Sequence, residues 1–440
     1  MIYGIIYILT SAYLIRRQLV FFLLAVVTNV FVLGWLVQRF DSSNFPTFSA
    51  LSIIFIYIVT AVLYTKNLIV YKRYLVFLML FYGLFILANM LSSMYNNASL
   101  MAYLTFFRNH FHYFLVLPAT VLIAEKNYIG KFFNFVLFLL LIQILLTVLQ
   151  FIIPEFKSYL IIEFIIRDGK EKSNIAQQIV SGFAAIGTLQ KPANLGNMLA
   201  IVIPSIYYFA KVGFINITKF KLLLFLTVLT VLLFLTGIRT SVMSLIVTFT
   251  LTFLIINSLR FNLAVITVVF FLMFFILSKD ILSDSKDHTR NFDNPFYRIT
   301  SVFYNDDLLS NSTLVRSNNI SNYYENFLFG VGRYSKGGFY VGIESISDAT
   351  LGFVFVEFGA IVLFLTFLPF TYPIYLLNKC KTVLHKDFLF SLIIFVGSLS
   401  QMITDQGLFS YFTAIPYFII QGLLLHRNSA TQRSSPIFID

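Results

Sequence analysis

The stretch from Lys279 to Glu357 gathers residues that could do chemistry: Arg290, Arg298, Arg316 and Arg333, with Glu325, Glu344 and Asp348. No other polar segment of the chain is as long or as charged. A guanidinium fork matches phosphate oxygens in a bidentate way and keeps its charge, so arginines here suit an anionic ligand. A carboxylate beside them suits removal of a proton from a hydroxyl. Asp348, in SDATLGFVFVEFGA, sits where a long apolar helix is expected to begin. An aspartate there is also an ordinary N-cap, worth about 1 kcal/mol, and spacing by itself favours the cap. Glu325 and Glu344 are alternatives for the acid. Glu357 lies deeper in the same helix, where it must face a bundle interior or a wet cavity.

Arg239 stands apart from that stretch, in LFLTGIRTSVMSLIV. A charge held between apolar runs needs a partner. An anionic ligand arriving at a membrane surface fits, and so do lipid headgroups or a loop carboxylate reached by snorkelling. Arg316 falls on an expected helix, TLVRSNNISNYYENF, while Arg167 and Lys191 lie in an earlier polar stretch. Taken singly, each of these three reads as a surface residue.

Other patterns point away from familiar sites. Gly330, Gly332, Gly337 and Gly338 read as a tight turn, since no strand precedes them and the third glycine is misplaced for a dinucleotide fingerprint. His110 and His112 are not spaced to place two metal ligands on one helix face. The single cysteine, Cys380, excludes an internal disulfide framework and any CxxC knuckle. No metal and no cofactor is expected. The chain has no GxxxxGK[ST] loop, which argues against ATP-driven transport. Asp405, with Gln401, Thr404 and Gln406, reads as a solvated outer turn.

Composition says what frame must position these residues. Of 440 residues 59% are hydrophobic and 11% charged, and the mean hydropathy is +0.86, which excludes an ordinary soluble domain of this size. An all-α, polytopic transmembrane bundle is expected, forming one integral membrane domain over residues 1–440. The 53 phenylalanines take the place usually held by leucine and alanine and carry no functional weight. A net charge of +12 would suggest nucleic acid in a soluble protein. Here much of it is topological, and no nucleic-acid partner is expected.

Segments of roughly 20 apolar residues cross a hydrocarbon core, and about thirteen are expected, within a range of about twelve to fourteen. They run from Ile2 to Ile15, Leu19 to Val37, Thr47 to Tyr64, Tyr74 to Leu91, Tyr103 to Ile123 and Phe132 to Ile152. After a polar interval come Leu195 to Ala210, Leu222 to Leu235, Ser241 to Ile256, Leu263 to Leu277, Thr350 to Leu376, Phe388 to Ile403 and Leu408 to Leu425. The first has no small-residue cleavage site after it and reads as a retained helix, not a removed signal peptide. Pro118, Pro204, Pro373 and Pro416 fall inside spans, where they are tolerated and would bend them.

Lysine and arginine in short connections set the orientation. With the N-terminus outside, Arg16, Arg17, Lys66, Lys72, Arg73, Lys126, Lys131, Lys211, Lys219, Lys221, Arg260, Lys379, Lys381, Lys386, Arg427 and Arg433 lie inside, and Arg39, Arg108 and Arg239 in short outer turns. Both long loops, 154–192 and 279–347, then face outward, to the periplasm or cell exterior. In the first of them SYLIIEFII is too short to cross and is expected on the membrane surface or against the second loop.

Three pieces, in this order, resemble the superfamily of O-antigen polymerases and ligases. GTLQKPANLGNMLAIVIP (Gly187 to Pro204) is similar to the family's G-T-F-x-N-P-N-x-L-A segment, and LTGIRTSVMSL (Leu235 to Leu245) to its S-R-T helix start. The third runs from Arg316 through ENFLFGVG (Glu325 to Gly332) to DATLGFVFVEFGAIVLF, and is similar to the family's arginine, N-P-L-F-G-V-G, and a loop closing on E-x-G-x-I-G.

The resemblance implies a GT-C-like bundle in the bacterial inner membrane that handles undecaprenyl-diphosphate-linked oligosaccharide on its periplasmic side. It implies a metal-independent glycosyltransferase of surface-glycan or lipopolysaccharide biosynthesis. A growing glycan on undecaprenyl diphosphate would pass to the terminal sugar of another lipid-linked repeat unit. Membrane lipid is an implied partner, and a chain-length regulator protein is compatible with it. Arg239 falls on the S-R-T arginine and Arg316 on the arginine before the glycine turn, which in the family are thought to engage the diphosphate. The ligases carry a histidine at the position that Asp348 holds here. That departure favours the polymerase branch and makes Asp348 the leading candidate for the base, together with its cap role. A second departure is the arginine often found just ahead of G-T-F: the local sequence is SGFAAIGTL, so Arg167 would have to substitute from farther away. Lys191, Arg298, Arg333, Glu325 and Glu344 complete the candidate substrate-binding set. Phe292, Phe296, Tyr297, Tyr323 and Tyr324 are sugar-stacking candidates or loop packing. A ligase transferring glycan to lipid A core remains the same-class alternative, and a lipid-linked oligosaccharide flippase the alternative of another class. Against the flippase stand the two long outer loops and the lack of a duplicated half.

Overall fold

The computed structural model describes residues 72–96, 114, 116–117, 120, 129–153, 155–156, 185, 192–257, 327–330, 350–379, 385–404 and 411–433. Among them no residue is in a strand. Eight helices are described: α1 (Lys72–Asn96), α2 (Ile129–Ile152), α3 (Pro192–Lys211), α4 (Lys219–Leu235), α5 (Arg239–Asn257), α6 (Thr350–Lys379), α7 (His385–Thr404) and α8 (Tyr411–Arg433). Each overlaps one of the apolar segments expected from sequence. The expected spans before Lys72 and that from Leu263 to Leu277 lie outside the described residues, and of that from Tyr103 to Ile123 only residues 114, 116–117 and 120 are described.

Long apolar runs become helices here because a helix pairs every interior N–H and C=O with itself, the only open-ended way to satisfy a backbone away from water. Among the described residues four segments are long and apolar enough to cross a membrane: Phe133–Ile152, Ala193–Lys211, Thr240–Asn257 and Phe358–Asn378. The outward faces are apolar as well. Leu223 and Phe220 on α4, Phe364 on α6 and Leu80, Leu84 and Leu87 on α1 are all exposed. A helical bundle with an apolar exterior is compatible with a membrane protein.

α3 is the axis of the bundle. Of its apolar stretch 89% is buried, against 33% for the corresponding stretches of α2 and α5. It packs on α4, α5, α7 and α8; α5 lies against α7, α7 against α6, α6 against α1 and α8, and α4 against α2. Small residues let the helix axes approach closely. A Cβ on Gly196 of α3 would stand 2.8 Å from Ser241 Oγ and 2.9 Å from Thr236 Oγ1, and one on Gly397 of α7 would overlap the Thr248 methyl of α5.

Aromatic rings fill the space between α1, α6 and α8. Phe114, fully buried, meets Phe370 edge-on at 5.2 Å, Phe418 edge-on at 5.2 Å and Phe81 at 5.9 Å. Tyr417 donates its hydroxyl to the Phe370 carbonyl at 2.8 Å, between the two prolines Pro369 and Pro373 that interrupt the α6 ladder. Several phenylalanines are thus used in packing between helices.

The contacts fix which helix ends lie together. Asn257, at the end of α5, donates to the hydroxyl of Tyr207 near the end of α3, and Lys386 of α7 reaches the Ile256 carbonyl. That end of the bundle carries Lys211, Lys219, Lys386 and Arg427. It also holds a buried acid: Asp387, in the first turn of α7, accepts from Tyr208 Oη of α3 and from Arg427 Nη1 of α8, the latter at 3.0 Å. The Tyr208 ring stacks on Phe390 at 3.9 Å, and the Arg427 guanidinium lies 5.4 Å from the Phe214 ring centre.

Three helices are therefore pinned through one carboxylate. Removing one member of a buried pair typically costs about 3–5 kcal/mol, because the other charge keeps its desolvation penalty. Arg427→Met is expected to lower the thermal midpoint of the purified protein clearly. Asp387→Asn combined with Arg427→Met should recover much of that loss, and equal midpoints for all three proteins would contradict this role.

Candidate functional site

The opposite end of the bundle holds the start of α3, the start of α5, the end of α7 and the first third of α6. Two contacts join the motif-bearing segments there, one between the first and the second and one within the third. Backbone Ala185, just ahead of Gly187, donates to the Leu235 carbonyl at 2.8 Å, tying the chain before α3 to the end of α4. The turn after Leu235 is tight: Gly237 has φ 66°, and Thr236 donates its hydroxyl to the Leu233 carbonyl. The Val242 N–H then closes on the Ile238 carbonyl, so Arg239 is the first residue of α5. No acid stands in that first turn. An arginine at a helix N-terminus works against the helix dipole, and a first helical turn in general favours an anion.

Directly behind this turn runs a buried polar seam. Ser241 Oγ of α5 donates to Asn197 Oδ1 of α3 at 2.6 Å. Gln401 Nε2 of α7 donates to Ser244 Oγ at 3.1 Å and to the Asn197 carbonyl at 3.4 Å. Ser244 Oγ in turn donates to the Gly397 carbonyl at 2.9 Å. Thr248, one turn further, bonds back to the Ser244 carbonyl at 2.7 Å. Asn197, Ser241, Ser244 and Gln401 are all buried, and Gln401 Oε1 has no partner among the described residues.

The third motif closes on itself. α6 is broken at Gly359, whose φ of 82° and ψ of 175° leave the helical region. The turn 327–330 fills the break: the Ala360 N–H donates to the Phe327 carbonyl at 2.9 Å, and a Cβ on Gly359 would sit 2.6 Å from Gly330 N and overlap the Leu328 carbonyl. Ser92 of α1 secures the far side by donating to the Phe329 carbonyl at 2.6 Å. FLFG of the glycine turn and EFG of α6, distant in sequence, are thus in direct contact.

Of the residues proposed from sequence, Arg239 is placed as backbone at the head of α5, and Glu357 as backbone two residues before the break in α6. Asp348, Arg316, Arg167, Lys191, Arg298, Arg333, Glu325 and Glu344 lie outside the described residues, as do the loop aromatics. One expectation needs correcting. Gln401 does not belong to a solvated turn; it is the fourth residue from the end of α7 and fully buried, because Asn197 and Ser244 offer its amide partners that water would otherwise supply. Thr404 likewise belongs to α7. Asn197, Ser241 and Gln401 had no signal as a group, since they lie on three helices far apart in sequence and no local pattern links them. Among the described residues no cluster of potential metal ligands occurs.

The class that fold and site define is a helical protein with spans apolar enough for a membrane and a polar, arginine-headed end. Compared with known proteins, the chain matches no family model and no curated protein.

Proposed function

We propose that the chain is a polysaccharide polymerase of the bacterial inner membrane, acting on its periplasmic face. A growing glycan leaves undecaprenyl diphosphate and is joined to the terminal sugar of an undecaprenyl-diphosphate-linked repeat unit. Asp348 takes the proton from the attacking hydroxyl, while Arg239 and Arg316 stabilise the charge growing on the departing diphosphate. Arg167, Lys191, Arg298, Arg333, Glu325 and Glu344 bind substrate. The bundle has about thirteen spans, the basic end lies in the cytosol by the positive-inside rule, and loops 154–192 and 279–347 face outward.

The observation that carries this reading is contact within the resembling segments: Gly196 of the first lies against Ser241 of the second, and the two halves of the third interlock at Gly359. A general base and a set of arginine donors, which the reading supplies as Asp348, Arg239 and Arg316, is the equipment that phosphate departure with hydroxyl attack requires.

Orientation gives a direct test. A cysteine at position 316, in a Cys380→Ser background, is expected to react with a membrane-impermeant thiol reagent added to the periplasmic side of spheroplasts. Reaction only after the membrane is opened would place Arg316 in the cytosol, away from the lipid carrier, and would rule the reading out.

A further inference from the structure

Resting on that reading, we propose that Asn197 and Gln401 are positioning residues for Arg239, acting through the first two turns of α5. Ser241 and Ser244 are one turn apart on the same face of α5. The first is held from α3 by Asn197 and the second from α7 by Gln401, and Gln401 also reaches the Asn197 backbone. Gly196 and Gly397 bring both neighbouring helices close enough for these bonds to form. The head of α5 is thereby fixed in rotation and in height.

An apolar seam would hold the helices together equally well, since replacing both partners of a buried hydrogen bond by apolar groups can be nearly neutral. What directional bonds add is a single setting: a small turn of α5 about its axis breaks the Ser241 and Ser244 bonds together. A guanidinium that meets charge developing on a leaving group needs its backbone held to about half an ångström.

The test is a double-mutant cycle with purified full-length protein and an undecaprenyl-diphosphate-linked repeat unit as substrate. Asn197→Ala and Gln401→Leu are made alone and with Arg239→Lys, and kcat and KM are read separately. Ser241→Ala, which removes one hydroxyl and leaves the packing, carries the cycle if either variant fails to fold. Each single change is expected to lower kcat about tenfold with KM nearly unchanged. In the Arg239→Lys background the same change should cost less than about threefold, because the interaction it supports is already lost. Equal losses in both backgrounds, or a fall in thermal midpoint with kcat intact, would overturn the positioning role while leaving the polymerase reading standing. A wild-type protein that elongates nothing would overturn both.

Discussion

Alanine at position 359 is expected to displace the turn 327–330 from α6 and to lower the stability of the protein severely. Two costs add. A φ of 82° is a region that L side chains rarely adopt, worth about 1–3 kcal/mol of strain. The new methyl would also overlap the Leu328 carbonyl and press on Gly330 N at 2.6 Å, and backbone atoms cannot swing aside as a side chain would. Overpacking of that kind costs typically about 1–3 kcal/mol more. The alternative open to the variant is a continuous α6, which releases the Phe327 carbonyl from Ala360 and the Phe329 carbonyl from Ser92. Thermal unfolding and limited proteolysis in detergent check this. The variant should melt several degrees lower and be cut near residue 328, whereas Gly83→Ala, where a Cβ meets nothing within 4 Å, should behave as wild type.

Arg239→Ala carries the second large effect, and it falls on function. Loss of one preorganised donor to developing charge typically costs about 3–4 kcal/mol, or about two to three powers of ten in rate. The backbone role of position 239 is met equally well by alanine, which is a good helix former, and removing a cation from a helix N-terminus relieves the dipole. The variant should therefore fold, insert and accumulate normally. In cells it is expected to abolish long glycan chains and leave single-repeat material on the lipid carrier. Gel separation of the glycans reads this directly, and a normal ladder would remove Arg239 from the mechanism.

The sequence made some of this legible and hid the rest for identifiable reasons. The helices of the described region were readable because a run such as FFNFVLFLLLIQILLTVLQF has no other place to go than a buried or lipid-facing helix. The break in α6 was not. Gly359 lies in an apolar run that continues on both sides, and what opens the helix is a carbonyl from residue 327, a contact invisible to local pattern. Pro369 and Pro373, the residues that signal a bend, lie beyond it.

Buried polar residues were the part that local pattern concealed. Gln401 was grouped with Asp405 as solvated, since a polar cluster at a helix end usually is, and its burial depends on Asn197 arriving from α3. Asp387 was hidden by its neighbour: Lys386 reads as a topological marker, and an acid beside it looks like surface, until Arg427 and Tyr208 close over it. Arg239 drew notice because a charge between LFLTGI and TSVMSLIV needs a partner, and its backbone heads α5.

The measurement that bears most directly on the central claim is elongation by the purified protein alone. Reconstituted in lipid nanodiscs and given an undecaprenyl-diphosphate-linked repeat unit, with a chelator present and no nucleotide, it is expected to convert single units into a ladder of longer chains and to release undecaprenyl diphosphate. Repeat units that stay single in the presence of folded protein, or that only cross from one leaflet of a vesicle to the other, would contradict it.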